Sequence, residues 1–199
     1  VVPTVRDGDR HHIPDRDVYL AMVQAYNTWL ADYMPIAPDR LIGNAVMPVS
    51  GIDDALAELA RVKDLGFRTV QLLQFPNGSG VPRPEDDRFW ERALELEMAL
   101  SPHMFFGGAI NMAGARHDTS QWPAEAGMTQ HAGGPPATTM AQMIVDGTFE
   151  RIPELRFYFA EINAAFFAAA LYYMDRDYQE YNSWFQLSLP KLPSEYMKT

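Results

Sequence analysis

Two side chains stand where a sheet protein would place its chemistry. In "EMALSPHMFFGG" (residues 97–108) an apolar run ends on His103, and two glycines follow. In "RFYFAE" a second apolar run ends on Glu161. An imidazole offers a neutral nitrogen to a metal ion or moves a proton near neutral pH. A carboxylate at the end of an apolar run is costly to bury unless a cation or a proton meets it. The glycines after His103 let backbone approach closely, which favours a pocket wall. The alternative for His103 is a packed histidine bonded to a neighbouring strand. For Glu161 it is a helix N-terminal carboxylate favoured by the helix dipole.

The remaining histidines carry less. His11 and His12 lie in the charged stretch "RDGDRHHIPDRD", where adjacent side chains diverge in extended chain; a solvated loop is expected there. His117 and His131 fall in a long Gly/Pro-rich stretch, Ala109 to Pro136. Long loops in compact domains often carry function, so His131 is expected to contact substrate.

The elements that must position these groups alternate in periodicity. Asp17 to Met34 reads as a helix whose apolar stripe is Val18, Met22, Ala25, Tyr26, Trp29 and Leu30. "RLIGNAVMP" (Arg40 to Pro48) reads as a strand. "GIDDALAELARVKDLGF" reads as a helix with Asp near its N-cap and Gly66 at its C-cap. "RTVQLLQF" (Arg68 to Phe75) is a second strand, "EDDRFWERALELEM" a third helix and "ALSPHMFF" a third strand. After the long loop come a helix and turn in "ATTMAQMIVDGTFERIPEL", a fourth strand from Arg156 to Glu161, and a long helix ending near "NSWF". In that last helix Phe166, Phe167, Leu171, Tyr172 and Met174 read as packing residues. Asp175 and Arg176 read as a solvated pair.

Strands alternating with helices through short connections imply βα units and a parallel α/β sheet. Such sheets collect function at the C-terminal ends of their strands. The predicted ends are Met47-Pro48, Gln74 to Asn77, Ser101 to Phe106, and Ala160 to Asn163, so His103 and Glu161 both fall on them. Phe106 and Asn163, on the same ends, are expected to line the substrate.

Composition narrows the partners. The 199 residues, 47% hydrophobic, suffice for one domain spanning 1–199. With no cysteine, disulfides, thiolate metal sites and a cysteine nucleophile are excluded, so any metal must take His, Asp or Glu ligands. A net charge of -10 argues against nucleic acid. No apolar run approaches the ~18–20 residues needed to span a bilayer, and no signal peptide is visible, so a cytoplasmic protein is expected. Neither a G-x-G-x-x-G nor a P-loop motif is present. The chain opens on Val1 rather than Met, and a piece of a longer polypeptide is expected.

Several stretches, in order, resemble the amidohydrolase-2 family, the group that includes aminocarboxymuconate-semialdehyde decarboxylase. "QAYNTWLADYMPIAPDRLIGNAVMPV" is similar to its "YN-x-W-L … P-x-R-L-x-G" segment. "ELARVKDLGFRTV", "FWERALELEMALSPH", "GTFERIPELRFYFAE" with the following "MDRDY", and "LPSEY" match later ones. The resemblance implies a distorted (β/α)8 barrel, of which about four of the eight βα units would be present. It implies a divalent metal, zinc rather than manganese, with His103 as the mid-barrel ligand. Glu161 stands where many members carry a second histidine and a subset carries Glu; a catalytic acid/base role is expected of it. The first-strand His-x-His and the late aspartate of the family are not found. The implied activity is hydrolysis or non-oxidative decarboxylation of a small aromatic or conjugated carboxylic acid by a homo-oligomer, a dimer. The competing expectation is a degenerate, non-catalytic barrel kept for binding or assembly.

Overall fold

The computed structural model describes residues 13–103, 106, 135–160 and 165–197. Helix α1 (Arg16–Tyr33) begins where Asp15 caps it, its carboxylate accepting from the N–H groups of Asp17 (2.9 Å) and Val18 (3.1 Å). Strand β1 (Asn44–Val46) is shorter than the run Arg40 to Pro48 that suggested it. Helix α2 (Ile52–Asp64) starts after Gly51, with Asp53 and Asp54 in its first turn and Arg61 and Lys63 in its last, both signs favourable to the helix dipole. Then follow β2 (Thr69–Leu72), α3 (Asp87–Glu95) and β3 (Ala99–Pro102). Beyond lie α4 (Pro135–Asp146), the short α5 (Thr148–Arg151) and α6 (Ala165–Tyr181).

The three strands form one parallel sheet in the order β1-β2-β3, with Val46 opposite Gln71 and Gln71 opposite Ser101. The predicted fourth strand is reduced to a single parallel bridge, Leu100 to Phe157. The N–H groups of Tyr158 and Ala160 nevertheless donate to the carbonyls of Leu100 and Pro102 at 3.0 Å. The segment therefore lies alongside β3 in strand order, with regular pairing too short to make a full strand.

Two returns into the sheet share one geometry. After α2 the N–H of Gly66 donates to Lys63 and that of Phe67 to Val62; after α3 the N–H of Glu97 donates to Leu94 and that of Met98 to Ala93. Gly66 has φ 90° and Glu97 φ 51°. Both are left-handed ends of the kind glycine normally supplies, and here one is filled by a glutamate.

The core sits between the sheet and the helices. Ala55, Leu59 and Val62 of α2 and Phe89, Trp90 and Ala93 of α3 bury against Ala45, Val70, Leu72 and Leu100. Trp90 meets the rings of Phe89 (5.4 Å) and Phe157 (5.5 Å) edge-on. A second cluster joins α4 to α6 through Met140, Ala141, Ile144, Ala170 and Met174. In α6, Met174 is buried as expected, but Tyr172 points outward. Arg176 pairs with buried Asp177 (2.5 Å) rather than Asp175, whose carboxylate accepts from the Ser194 N–H (2.8 Å).

Helix α1 corrects the sequence reading of its face. Its buried residues are Tyr19, Val23, Asn27 and Leu30, whereas Val18, Met22 and Trp29 are exposed. The reason is a polar anchor. The Asn27 amide donates to the carbonyl of Val46 (2.9 Å), and its oxygen accepts from the Val46 N–H (2.9 Å). It also donates to Glu58 (2.7 Å), a buried carboxylate held by the guanidinium of Arg61 at 2.7 and 2.8 Å. Arg61 reaches on to the Gln24 carbonyl and the Thr28 hydroxyl of α1. This network sets the rotation of α1, and the apolar stripe follows from it.

Candidate functional site

His103 stands one residue past the C-terminal end of β3. Its N–H donates to the Leu72 carbonyl (3.0 Å), which carries the ladder one residue past β3, and its carbonyl accepts from the Phe106 N–H (2.8 Å) to close a turn. Side chains alternate along a strand. Leu100 belongs to the helix-side core, so Ser101 and His103 take the opposite face, together with Gln71, the register partner of Ser101. His103 is half-buried, while Ser101 is fully buried and its hydroxyl has no hydrogen-bond partner among the described residues.

Phe106 is buried, its ring 4.7 Å from that of Phe75 at the end of β2. It therefore backs the strand ends as packing, and its carbonyl accepts from the hydroxyl of Thr139 on α4 (2.9 Å). Glu161, Asn163 and His131 lie outside the described residues, as do His11, His12 and His117. Among the sequence-predicted site residues the structure thus brings together His103 and Phe106.

One constellation beside the site escaped the sequence reading. Asp86, fully buried just ahead of α3, accepts from the Asn77 N–H (2.6 Å), the Asn77 side-chain amide (2.6 Å) and the Arg83 N–H (2.8 Å). It pins the loop that leaves β2 at Phe75. Burial pushes the Asp86 carboxyl up to about 6, and the like charge of Glu85 adds to this, against the three donors that pull the other way. Gly78 in the same loop has φ 82°, and a Cβ there would stand 2.6 Å from the Val49 carbonyl oxygen. The run "RPEDD" signals a helix start and gives no sign that its middle carboxylate faces inward.

A metal ion finds too few donors among the described residues. No group of three His, Asp or Glu there could hold one, and a single neutral imidazole does not make a site. A cavity of about 160 Å³ is lined by Met140, Met143, Phe149, Phe157, Phe159 and Tyr196. No described helix is long and apolar enough to cross a membrane.

Parallel strands alternating with helices, with a histidine just past the C-terminal end of β3, are the kind of βα arrangement from which barrel folds are built, with functional residues at that end. Residues 7–191 match the amidohydrolase family model Amidohydro_2. The chain belongs to the amidohydrolase family. It is 32% identical over 111 residues to 2-keto-4-carboxy-3-hexenedioate hydratase of a Sphingobium species, covering 51% of this chain and 32% of the relative. It is 27% identical over 151 residues to 2-amino-3-carboxymuconate-6-semialdehyde decarboxylase of Dictyostelium discoideum, covering 74% and 39%. The crystal structure of 5-carboxyvanillate decarboxylase from Sphingomonas paucimobilis shares the fold, with a TM-score of 0.63 at 19% identity over 89% of this chain and 52% of that one. The chain thus spans about a third of the curated relatives' length and about half of the solved one.

Proposed function

We propose that this chain contributes to a metal-dependent hydrolase or non-oxidative decarboxylase that acts on a small aromatic or conjugated carboxylic acid in the cytoplasm. The observation that carries the reading is the position of His103. It stands at the C-terminal end of β3, on the face turned away from α2 and α3, in a chain matched by the family over nearly its whole length. The relatives named above support the substrate class, since their names describe carboxylated, conjugated acids.

In this reading His103 would supply one ring nitrogen to a divalent ion, zinc in preference to manganese, with the other ligands drawn from beyond the described residues. Glu161 serves as acid/base, and Asn163 and His131 contact the substrate. The ion would polarise a carboxylate or carbonyl oxygen and lower the pKa of bound water. This chain's own contribution is placement. The His103 backbone is locked to Leu72, Phe75 and Phe106 close the apolar backing behind it, and Asp86 fixes the neighbouring loop. Such fixed placement limits the reorganisation needed during reaction.

The test is metal analysis by mass spectrometry on the intact polypeptide, followed by turnover of a panel of aromatic and conjugated carboxylic acids. Bound zinc, and a loss of about 100-fold or more in turnover for His103→Ala, is the expected result. No bound metal together with unchanged turnover in His103→Ala overturns the reading.

A further inference from the structure

We infer that the cavity of about 160 Å³ beside α4 is a binding site for a small neutral aromatic molecule carrying one oxygen, of the size of phenol. The cavity lies on the seam between two cores. Met143, Leu155 and Phe157 belong to the cluster that packs on the sheet, Met140 and Tyr196 to the cluster that joins α4 to α6, and Phe149 touches both. Phe149 meets Phe157 edge-on at 6.2 Å and leans on Tyr196 at 6.3 Å, so rings bridge the seam without filling it. Well-packed interiors leave few voids larger than a water molecule, and a void forfeits the dispersion contacts of its lining. An apolar cavity of about 150 Å³ stays dry and takes up benzene. Size also argues against a polypeptide occupant, since the space admits one ring and a helix is about 10 Å across.

The lining selects the ligand. Met140, Met143 and Met197 present thioethers, which adapt in shape and sit favourably at ring edges, and the phenylalanines present rings. Tyr196, in the short 3-10 turn Pro193–Met197, supplies the polar handle. It is 8% exposed, and its hydroxyl has no hydrogen-bond partner among the described residues. A buried hydroxyl without a partner is unfavourable, and an oxygen on the ligand removes that cost. Burial and the neighbouring Glu150 carboxylate hold the Tyr196 phenol protonated well above the usual tyrosine range, so it offers a proton to an acceptor. Glu150 itself pairs with Lys191 (3.8 Å). A carboxylate so near disfavours an anion, which separates this ligand from the acids proposed for the strand-end site. Arg156, the charged residue of the described lining, is exposed and marks the solvent edge; its guanidinium donates to the carbonyls of Pro153 (2.7 Å) and Leu155 (3.0 Å). Among the described residues neither His103 nor any residue of β1, β2 or β3 lines the cavity, so the inference stands apart from the reading of the strand ends.

The methionines are the reporters. In the intact polypeptide, isotopically labelled at the methionine methyls, phenol should shift the NMR signals of Met140, Met143 and Met197 with a Kd of about 1 mM or tighter. The signals of Met47 and Met98, buried in the sheet-side cluster, should stay in place. Benzoate at the same concentration should leave the three cavity methionines unmoved. Tyr196→Phe should weaken phenol by about 5-fold or more and leave benzene unchanged, since it removes the hydroxyl and keeps the ring. Far-UV circular dichroism shows whether the variant folds; if it does not, the methyl shifts of the parent and the phenol–benzoate comparison decide. No shift at about 10 mM phenol, where a site of about 1 mM affinity would be nearly filled, overturns the inference; that is the result if side chains of the intact polypeptide occupy the cavity. Equal shifts at Met47 and Met98, benzoate bound as tightly as phenol, or a folded Tyr196→Phe that binds phenol like the parent overturn it as well.

Discussion

Asn27 and Val46 face each other across paired 2.9 Å hydrogen bonds, amide to carbonyl and carbonyl to amide. A side-chain carboxamide thereby occupies the place of a neighbouring strand. Met47 bonds to β2, so the Val46 groups turned the other way would otherwise be bare. One asparagine thus seals the outer side of β1 and sets the rotation of α1.

Replacing Asn27 by leucine keeps the volume but strands the Val46 N–H and carbonyl and one bond of Glu58. Each buried group left without a partner costs about 1–3 kcal/mol, so Asn27→Leu should lose about 3 kcal/mol or more. Urea denaturation against the parent chain measures it. A loss under about 1 kcal/mol would show that the pairing contributes little.

Glu97 sits in a left-handed backbone conformation that its counterpart Gly66 occupies without steric cost. Glu97→Gly should therefore stabilise the chain by about 1 kcal/mol. For a two-state domain of this size the melting temperature should rise by about 2–4 °C.

Asp86 links stability to pH. Its folded-state value of about 6 lies above the usual carboxylate range. Between the unfolded value and about 6 the folded chain therefore holds a proton that the unfolded chain has released. The contribution of Asp86 is full below the unfolded pKa and is lost as pH rises through about 6, a change of about 2–3 kcal/mol. Denaturation midpoints from pH 4 to 7 for the parent and Asp86→Asn should diverge in slope across that window. Parallel curves would mean that Asp86 titrates normally.

Gly78→Ala should disturb the loop beside His103. The new Cβ collides with the Val49 carbonyl, and the φ of 82° strains any side chain. A cost of about 1–3 kcal/mol is expected. Hydrogen exchange should show faster loss of protection at Phe75–Ser79 than elsewhere in the sheet; uniform change would argue against local strain.

Much of the fold was legible because repeated local signals agreed. In α2, acidic residues at the start, basic ones at the end and Gly66 beyond it all specify the same helix, and the apolar run of β2 could only be a buried strand. Helix α1 shows where that logic stops. Apolar periodicity locates a stripe but not whether it meets the chain's own core, and the residue that decides, Asn27, is polar. The same holds at the site. The place of His103 just past β3 was legible because it closes an apolar run, while Asp86 sat in an acidic run that reads as solvated surface. The Arg156–Glu161 run had the composition of a strand, but a strand is defined by its neighbours, and among the described residues only β3 flanks it. The family assignment rests on the order of many short matches, which spacing within any one of them could not supply.

The two sides of the sheet differ in a way that gives it a direction. On the β1 side, Asn27 terminates the ladder. On the other, Tyr158 and Ala160 turn their N–H groups to β3, so those of Phe157 and Phe159 point outward by the alternation of a strand. Among the described residues, the flank beside Phe157 and Phe159 is therefore the one that offers outward backbone donors to a further strand.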